Sequence, residues 1–327
     1  MDRNNDQSGI QKLILCIPVY NDWEALEVLI ERLDHELAML EARVSILIVD
    51  DSSTETVPTE FSKAPSNIAK IEVIHLRRNL GHQRAIAMGL AYIYANYECQ
   101  AVLIMDGDGE DDPKDVKTLI DLCRKREFRK IIFAKRSKRN DGIIFKLGYR
   151  SYKIVHYLLT GLRVEVGNFS IIPYPLLNRL MGVSEIWNHY AASVFLARLP
   201  LETIPIPRGE RIAGKSKMNI ISLVVHGMSA ISVFGETVAV RFLCFFGLLM
   251  LLTLAGLATT VCIKFFTHLA IPGWATNLTG ILCIVMLNLF VLGMFSVLLM
   301  LNSRDRLSFL PLRDWQYFVD YNRAIHD

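Results

Sequence analysis

Residues 101–113 read AVLIMDGDGEDDP. The apolar run Ala101 to Met105 suits a strand covered on both faces, as in a parallel sheet. Directly after it, five carboxylates fall within seven residues: Asp106, Asp108, Glu110, Asp111 and Asp112. Like charges at that density repel and call for a positive partner. Asp106 and Asp108 are two apart, so in an extended segment they point the same way. Their hard oxygens suit Mg²⁺ or Mn²⁺, ions that take one or two carboxylates plus substrate phosphates. Pro113 with acids just before it marks the first turn of a helix. For an isolated Asp-x-Asp, a turn that merely caps that helix is the simpler reading. A calcium loop is excluded, because the twelfth position from Asp106 is Lys117 and not a glutamate.

Similar apolar runs occur at residues 13–19 (LILCIPV), 44–49 (VSILIV), 71–76 (IEVIHL) and 131–134 (IIFA). Between them Leu26, Leu29, Ile30, Leu33, Leu37 and Leu40 keep helical spacing. Asn21 and Glu24 form an expected capping box for that helix. Further helices are expected over 82–95 and 113–126. Alternating strands and helices predict an α/β fold with a mostly parallel, Rossmann-like sheet flanked by helices. Such sheets bind ligands at the carboxyl ends of their strands. Pro18, Tyr20 and Asn21 end the first strand, Asp50 and Asp51 the second, and Arg77, Arg78 and His82 follow the third. A carboxylate there can accept hydrogen bonds from a nucleotide's base and ribose. Arginines near a helix N-terminus can meet a diphosphate. Later segments read as an amphipathic helix over 143–159, a loop and short strand over 161–172, a helix over 184–199, a strand over 201–207, and an interfacial helix over 218–233.

The 327 residues are 52% hydrophobic and 21% charged, which excludes a disordered or wholly soluble chain. Residues 242–263 and 281–301 carry no formal charge. A helix of about 20 apolar residues crosses the ~30 Å bilayer core, so both segments are expected to span. The polar start, MDRNNDQSG, holds no apolar leader. Lys215, Lys217, Arg241, Arg304, Arg306 and Arg313 flank the pair, whereas the connection between the spans carries one Lys and one His. That asymmetry places both chain ends and the large N-terminal part in the cytoplasm, at an inner or plasma membrane. The expected division is 1–210 catalytic, 211–238 juxtamembrane, 239–303 two spans and 304–327 a cytoplasmic tail. The net charge of +3 is too small to argue for nucleic acid. Six cysteines without a Cys-x-x-Cys spacing argue against a zinc site or a disulfide scaffold.

The order PVYN, VDDSS, RNLGHQRAIAMGL and DGDGEDDP resembles family 2 glycosyltransferases of the GT-A type. With two C-terminal spans, the chain is similar to the polyprenyl-phosphate glycosyltransferases, the group of dolichol-phosphate mannose synthase and bactoprenol glucosyltransferase. The resemblance implies inverting, metal-dependent transfer of a sugar from a UDP- or GDP-sugar to a polyprenyl phosphate, in enzymes that are often oligomeric. It implies that Pro18, Tyr20, Asn21 and Asp50 hold the base and ribose, with Arg78, Lys135 and Arg136 also on the nucleotide sugar. Asp106 and Asp108 become the Asp-x-Asp pair around Mg²⁺ or Mn²⁺ and the diphosphate. Asp108, Glu110, Asp111 and Arg211 take catalytic positions. Arg139, Arg211, Lys215, Ser216 and Lys217 fall where the lipid phosphate is bound. Gly167-Asn168-Phe169-Ser170 departs from the family's Gly-Asp-Phe-Arg, and Gly107 and Gly109 stand where Ala and Leu are usual. Two rival readings are a transferase with another acceptor and a degenerate membrane scaffold or partner subunit.

Overall fold

The computed structural model describes residues 11–56, 58–61, 63–136, 143–162, 166–207, 209, 211–212, 220–267, 271–304 and 309–326. The strands are β1 (Gln11–Val19), β2 (Ala42–Asp50), β3 (Ile68–Leu76), β4 (Ala101–Ile104), β5 (Ile131–Arg136), β6 (Ser170–Pro173), β7 (Leu201–Ile206) and β8 (Val319–His326). The helices are α1 (Trp23–Leu37), α2 (His82–Asn96), α3 (Pro113–Lys125), α4 (Ile143–Thr160), α5 (Tyr174–Leu180), α6 (Tyr190–Leu196), α7 (Ile220–Ser232), α8 (Gly235–Phe266), α9 (Trp274–Arg304) and α10 (Pro311–Asp314). Two compact units result: Met1–Arg150 with Arg163–Val233 and Ser308–Asp327, and Ser151–Leu162 with Phe234–Leu307.

All eight strands join one sheet of order β7-β5-β6-β4-β1-β2-β3-β8. β4, β1, β2 and β3 run parallel, as do β5 and β7, while β6 and β8 run against their neighbours. The apolar runs are continuous because both faces are covered. Leu13, Leu15, Ile17 and Val19 of β1 face a core shared with α1 and α3. Ile14 and Cys16 face the opposite core, shared with α2, α5 and α6. α2 presses closely on the sheet at Gly89, where a Cβ would lie 2.5 Å from Cys16 Sγ and 2.7 Å from Val49 Cγ2.

Three local expectations are corrected. The cap of α1 is Asp22, not Asn21, and the Asn21 amide reaches across to the loop after β2 instead. The helix expected over 184–199 is broken: a 3₁₀ turn at Ser184–Trp187 precedes α6. The break falls at His189, whose Nδ1 accepts the Ala192 amide at 3.3 Å and caps α6. The chain end adds an element that sequence periodicity did not reveal, the edge strand β8. It is fastened to β3 by polar side chains. Glu72 accepts from Lys70 Nζ at 2.8 Å, Tyr92 Oη at 2.6 Å and Asn322 Nδ2 at 3.3 Å, and also from Tyr97. Burial works against the charge on Glu72, but these donors outweigh it and lower its pKa.

In the second unit α8 and α9 pack against each other. Their 32 and 31 residues give lengths of about 48 and 46 Å at 1.5 Å per residue, more than the bilayer core requires. Phe245, Leu251, Ile284 and Leu287 are each more than half exposed, the reverse of a soluble protein's core helix. Arg241, near the start of α8, donates to the Tyr157 and Leu158 carbonyls in the last turn of α4, orphan acceptors of that helix end.

Candidate active site

β4, β1 and β2 are parallel neighbours, so their carboxyl ends lie side by side. From β1 the chain moves to β2 and β3 on one side, and the connection through α2 then crosses back to β4 on the other side of β1. This is the switch point where open α/β sheets form a crevice. The loop after β4 carries Asp106 and Asp108, the loop after β1 carries Tyr20 to Asp22, and β2 ends at Asp50.

The loops after β1 and β2 are tied together by Asn21, which sits at φ +51°. Its Oδ1 accepts the Thr54 and Glu55 amides at 2.8 and 3.1 Å, and its own amide donates to Ser53 Oγ at 2.9 Å. Asp50 is fully buried; its Oδ1 accepts the Ser53 amide at 2.9 Å and its Oδ2 meets His75 Nδ1. Asp51 points elsewhere, taking the Leu80 and Gly81 amides at 2.7 and 2.9 Å, and so fixes the entry to α2. Burial pushes the Asp51 pKa up to about 6, although those two amides favour its charged form.

The acidic loop is sorted by its own backbone. Asp112 caps α3 through the Lys114 amide at 3.1 Å, with Pro113 in the first turn. Asp111 is buried and accepts the Asp106 amide at 2.9 Å. Asp106, Asp108 and Glu110 stay partly exposed. Glu110 and Asp111, read together from sequence, are therefore separated: one stands at the crevice and the other props the loop from beneath. Asp108 Oδ1 accepts the Glu110 amide at 3.0 Å. Burial, then the nearby Asp106 and Glu110 charges, raise the Asp108 pKa, against the Glu110 amide and the Arg211 guanidinium.

Arg211 arrives from beyond β7. It donates to Asp108 Oδ2 at 3.2 Å and pairs with Asp22 at 3.3 Å. Its neighbours clamp the acidic loop: the Ile212 amide donates to the Asp108 carbonyl and the Gly209 amide to the Glu110 carbonyl, both at 3.0 Å. Gly109 makes this possible, with φ +82° and a Cβ position only 2.4 Å from Ile212 Cγ1. The glycine at a position where Leu is usual is thus explained by its backbone.

His82 opens α2, and its Nε2 lies 3.1 Å from Asp106 Oδ1. Burial lowers the His82 pKa, but Asp106, with Asp108 and Asp111, outweighs it and raises the value. Asn168 sits beside this pair. Its Oδ1 accepts from Gln83 Nε2 at 3.0 Å, and its Nδ2 is 2.9 Å from His82 Nε2. The departure from Gly-Asp-Phe-Arg therefore lies at the crevice and puts a neutral amide where the resembled motif has a carboxylate. His226 of α7 has its ring 4.8 Å from that of His189. Burial lowers its pKa, and the His82 charge lowers it further.

Pro18 is buried at the end of β1, while Tyr20, Arg78 and Lys135 are exposed. The Arg136 side chain and Arg139, Lys215, Ser216 and Lys217 lie outside the described residues. Asp22, His75 and His82 carry no site role of their own on the sequence reading, whereas Asp51, expected with Asp50 at the crevice, turns instead to the start of α2. His82 stands inside the quoted RNLGHQ, but Asp22 gains meaning only from Arg211, 189 residues away. Among the described residues no three His, Cys, Asp or Glu side chains converge to hold a metal alone. Two partly exposed carboxylates that repel each other fit a divalent cation whose shell is completed by phosphates.

The sequence model described as glycosyl transferase family 2 matches residues 14–180. An uncharacterized glycosyltransferase of Bacillus subtilis, YkcC, is 23% identical over 323 residues, 96% of each chain. An undecaprenyl-phosphate 4-deoxy-4-formamido-L-arabinose transferase of Klebsiella pneumoniae is 24% identical, covering 75% of this chain and 78% of its own. Glucosyl-3-phosphoglycerate synthase of Mycobacterium tuberculosis, solved with Mn²⁺, UDP-glucose and phosphoglyceric acid, superposes with a TM-score of 0.50 at 12% identity, over 70% of this chain and 80% of that one. Its likeness is one of fold, the GT-A arrangement.

Proposed function

The chain belongs to glycosyl transferase family 2 and is a glycosyltransferase; from that premise we propose that it moves a sugar from a UDP- or GDP-sugar to a polyprenyl phosphate at a membrane. The observation that carries this reading is the partly exposed carboxylate pair Asp106 and Asp108 at the switch point, with the loop held by Asp50 beside it. Pro18, Tyr20, Asn21 and Asp50 hold the base and ribose. Arg78, Lys135 and Arg136 meet the diphosphate. Asp106 and Asp108 hold Mg²⁺ or Mn²⁺, which when bound neutralises charge on the departing nucleoside diphosphate.

The acceptor phosphate is anionic near neutral pH, so it needs no strong base. Its oxygen forms the new bond to the anomeric carbon as the bond to the diphosphate breaks, with inversion. The chain's own work is positioning and charge stabilisation. Arg211, held between Asp22 and Asp108, supports a site where the lipid phosphate arrives next to the carboxylate pair. Glu110 faces the acceptor side, and Asp111 acts through the loop it supports. Arg139, Lys215, Ser216 and Lys217 are assigned to the lipid phosphate with Arg211.

Membrane attachment is assigned to α8 and α9 within 239–303, with 1–210 catalytic and 211–238 juxtamembrane. The chain up to Val233 and again from Ser308 belongs to the sheet-bearing unit. If the pair crosses a bilayer, the chain must therefore return to its starting side. This supports a 304–327 segment on the same face as the catalytic domain, and the flanking Lys and Arg residues assign that face to the cytoplasm. The test is transfer of labelled sugar into lipid by the full chain in detergent, given polyprenyl phosphate, a divalent cation and a panel of UDP- and GDP-sugars. Label in the organic phase is expected with one donor. No label from a protein that binds nucleotide would favour another acceptor or a scaffold.

A further inference from the structure

Asp50, His75 and Tyr321 form one row across three neighbouring strands. Asp50 lies opposite His75 in the β2–β3 pairing, and His75 lies opposite Tyr321 in the β3–β8 pairing. The row is joined by side chains. His75 Nδ1 meets Asp50 Oδ2, and the Tyr321 ring stacks on the imidazole with centroids 4.9 Å apart and planes 16° apart. The other Asp50 oxygen accepts the Ser53 amide. A buried carboxylate with a donor on each oxygen has one orientation. A histidine in that position must present Nδ1–H, because Asp50 in its ionised form only accepts. The stacked tyrosine removes alternative settings of the imidazole.

We propose that His75 and Tyr321 are positioning residues for the donor nucleotide. His75 fixes the buried Asp50 carboxylate, which holds the Ser53 amide and through Ser53 the loop that Asn21 ties beside the base and ribose, and Tyr321 fixes His75. The inference rests on the nucleotide role proposed for Asp50. Its consequence is that the last strand, which the chain adds only after both long apolar helices, is part of the donor site. The polar network of Glu72, Tyr92 and Asn322 then serves to hold that strand in register.

Calorimetric titration of UDP and GDP into the full chain in detergent tests this, together with donor KM and kcat. His75→Ala and Tyr321→Ala should each weaken the preferred nucleotide about tenfold, the scale of a lost hydrogen bond to a charged group, and raise donor KM with kcat nearly unchanged. His75→Asn, whose amide can donate from a similar place, and Tyr321→Phe should bind close to wild type. Should His75→Ala not fold, the Tyr321 pair and His75→Asn decide on the same readout. Lost binding in Asp50→Asn with wild-type binding in His75→Ala and Tyr321→Ala would overturn the positioning role alone. Equal losses in His75→Asn and His75→Ala would overturn the Nδ1 donor. Wild-type binding in Asp50→Asn would remove the nucleotide role itself, and the inference with it.

Discussion

Replacing Gly109 by Ala adds one methyl group at the tightest point of the acidic loop. Two costs follow from the structure. A residue with a Cβ at φ +82° is strained by about 1–2 kcal/mol. The new Cβ would also lie 2.4 and 2.5 Å from Ile212 Cγ1 and Cδ1, so Ile212 must shift. Overpacking of this kind costs typically about 1–3 kcal/mol. The Ile212 amide is bonded to the Asp108 carbonyl, and Arg211 beside it holds the Asp108 carboxylate. Relief of the clash therefore draws Arg211 away from Asp108. The lower bound of ~2 kcal/mol is read as lost stability, while the displaced Arg211 is read in kcat/KM, which should fall about tenfold or more. The assay is sugar transfer across a substrate titration, with thermal unfolding of the same protein in detergent. Gly109→Ala/Ile212→Ala should recover the packing part and not the backbone part, landing between the single mutant and wild type. Wild-type kcat/KM and thermal midpoint in Gly109→Ala would refute both the positive φ and the Ile212 clamp.

Arg211→Lys keeps a charge but cannot bridge Asp22 and Asp108 with a planar fork, so turnover should fall at least tenfold with nucleotide binding little changed; equal turnover would show that the bridge is dispensable. Asp51→Asn replaces an acceptor of two backbone amides by a group with one acceptor atom, and should cost about 1–3 kcal/mol in stability. The pH dependence has a definite sign. The Asp51 pKa is raised from 3.8 to about 6 in the folded state, so its stabilising contribution is full below the unfolded pKa and falls by ~3 kcal/mol as pH rises through about 6. The gap in thermal midpoint between wild type and Asp51→Asn should accordingly be wider at pH 5 than at pH 7, and a gap that widens with pH would contradict the burial argument.

The parts of the fold legible in sequence are those where apolar burial writes a pattern. β1 to β5 are short apolar runs because helices cover both faces of the sheet, and the turn to α3 is announced by Asp112 and Pro113. β8 is illegible in sequence because its residues are mostly exposed, and its hold on the sheet comes from backbone pairing with β3 and from Glu72 and Asn322, two polar residues 250 positions apart. Asn21 had two local options of similar chemistry, a helix cap or a loop tie, and only the approach of Thr54 decides between them. The helix around His189 was overextended because one side chain interrupts it without any glycine or proline. In the site, the carboxylates and arginines stood out by density and placement at strand ends. Their division into groups that face the crevice and groups that hold the loop did not, since Asp111 and Glu110 are alike in sequence and opposite in setting.

The most direct test of the central claim is sugar transfer to polyprenyl phosphate by wild type and Asp108→Asn, side by side, with and without a chelator. The account predicts label in the lipid phase for wild type with a divalent cation, its loss with chelator, and a variant that still folds and keeps less than a hundredth of the turnover. Full transfer by Asp108→Asn, or transfer indifferent to the chelator, would contradict it.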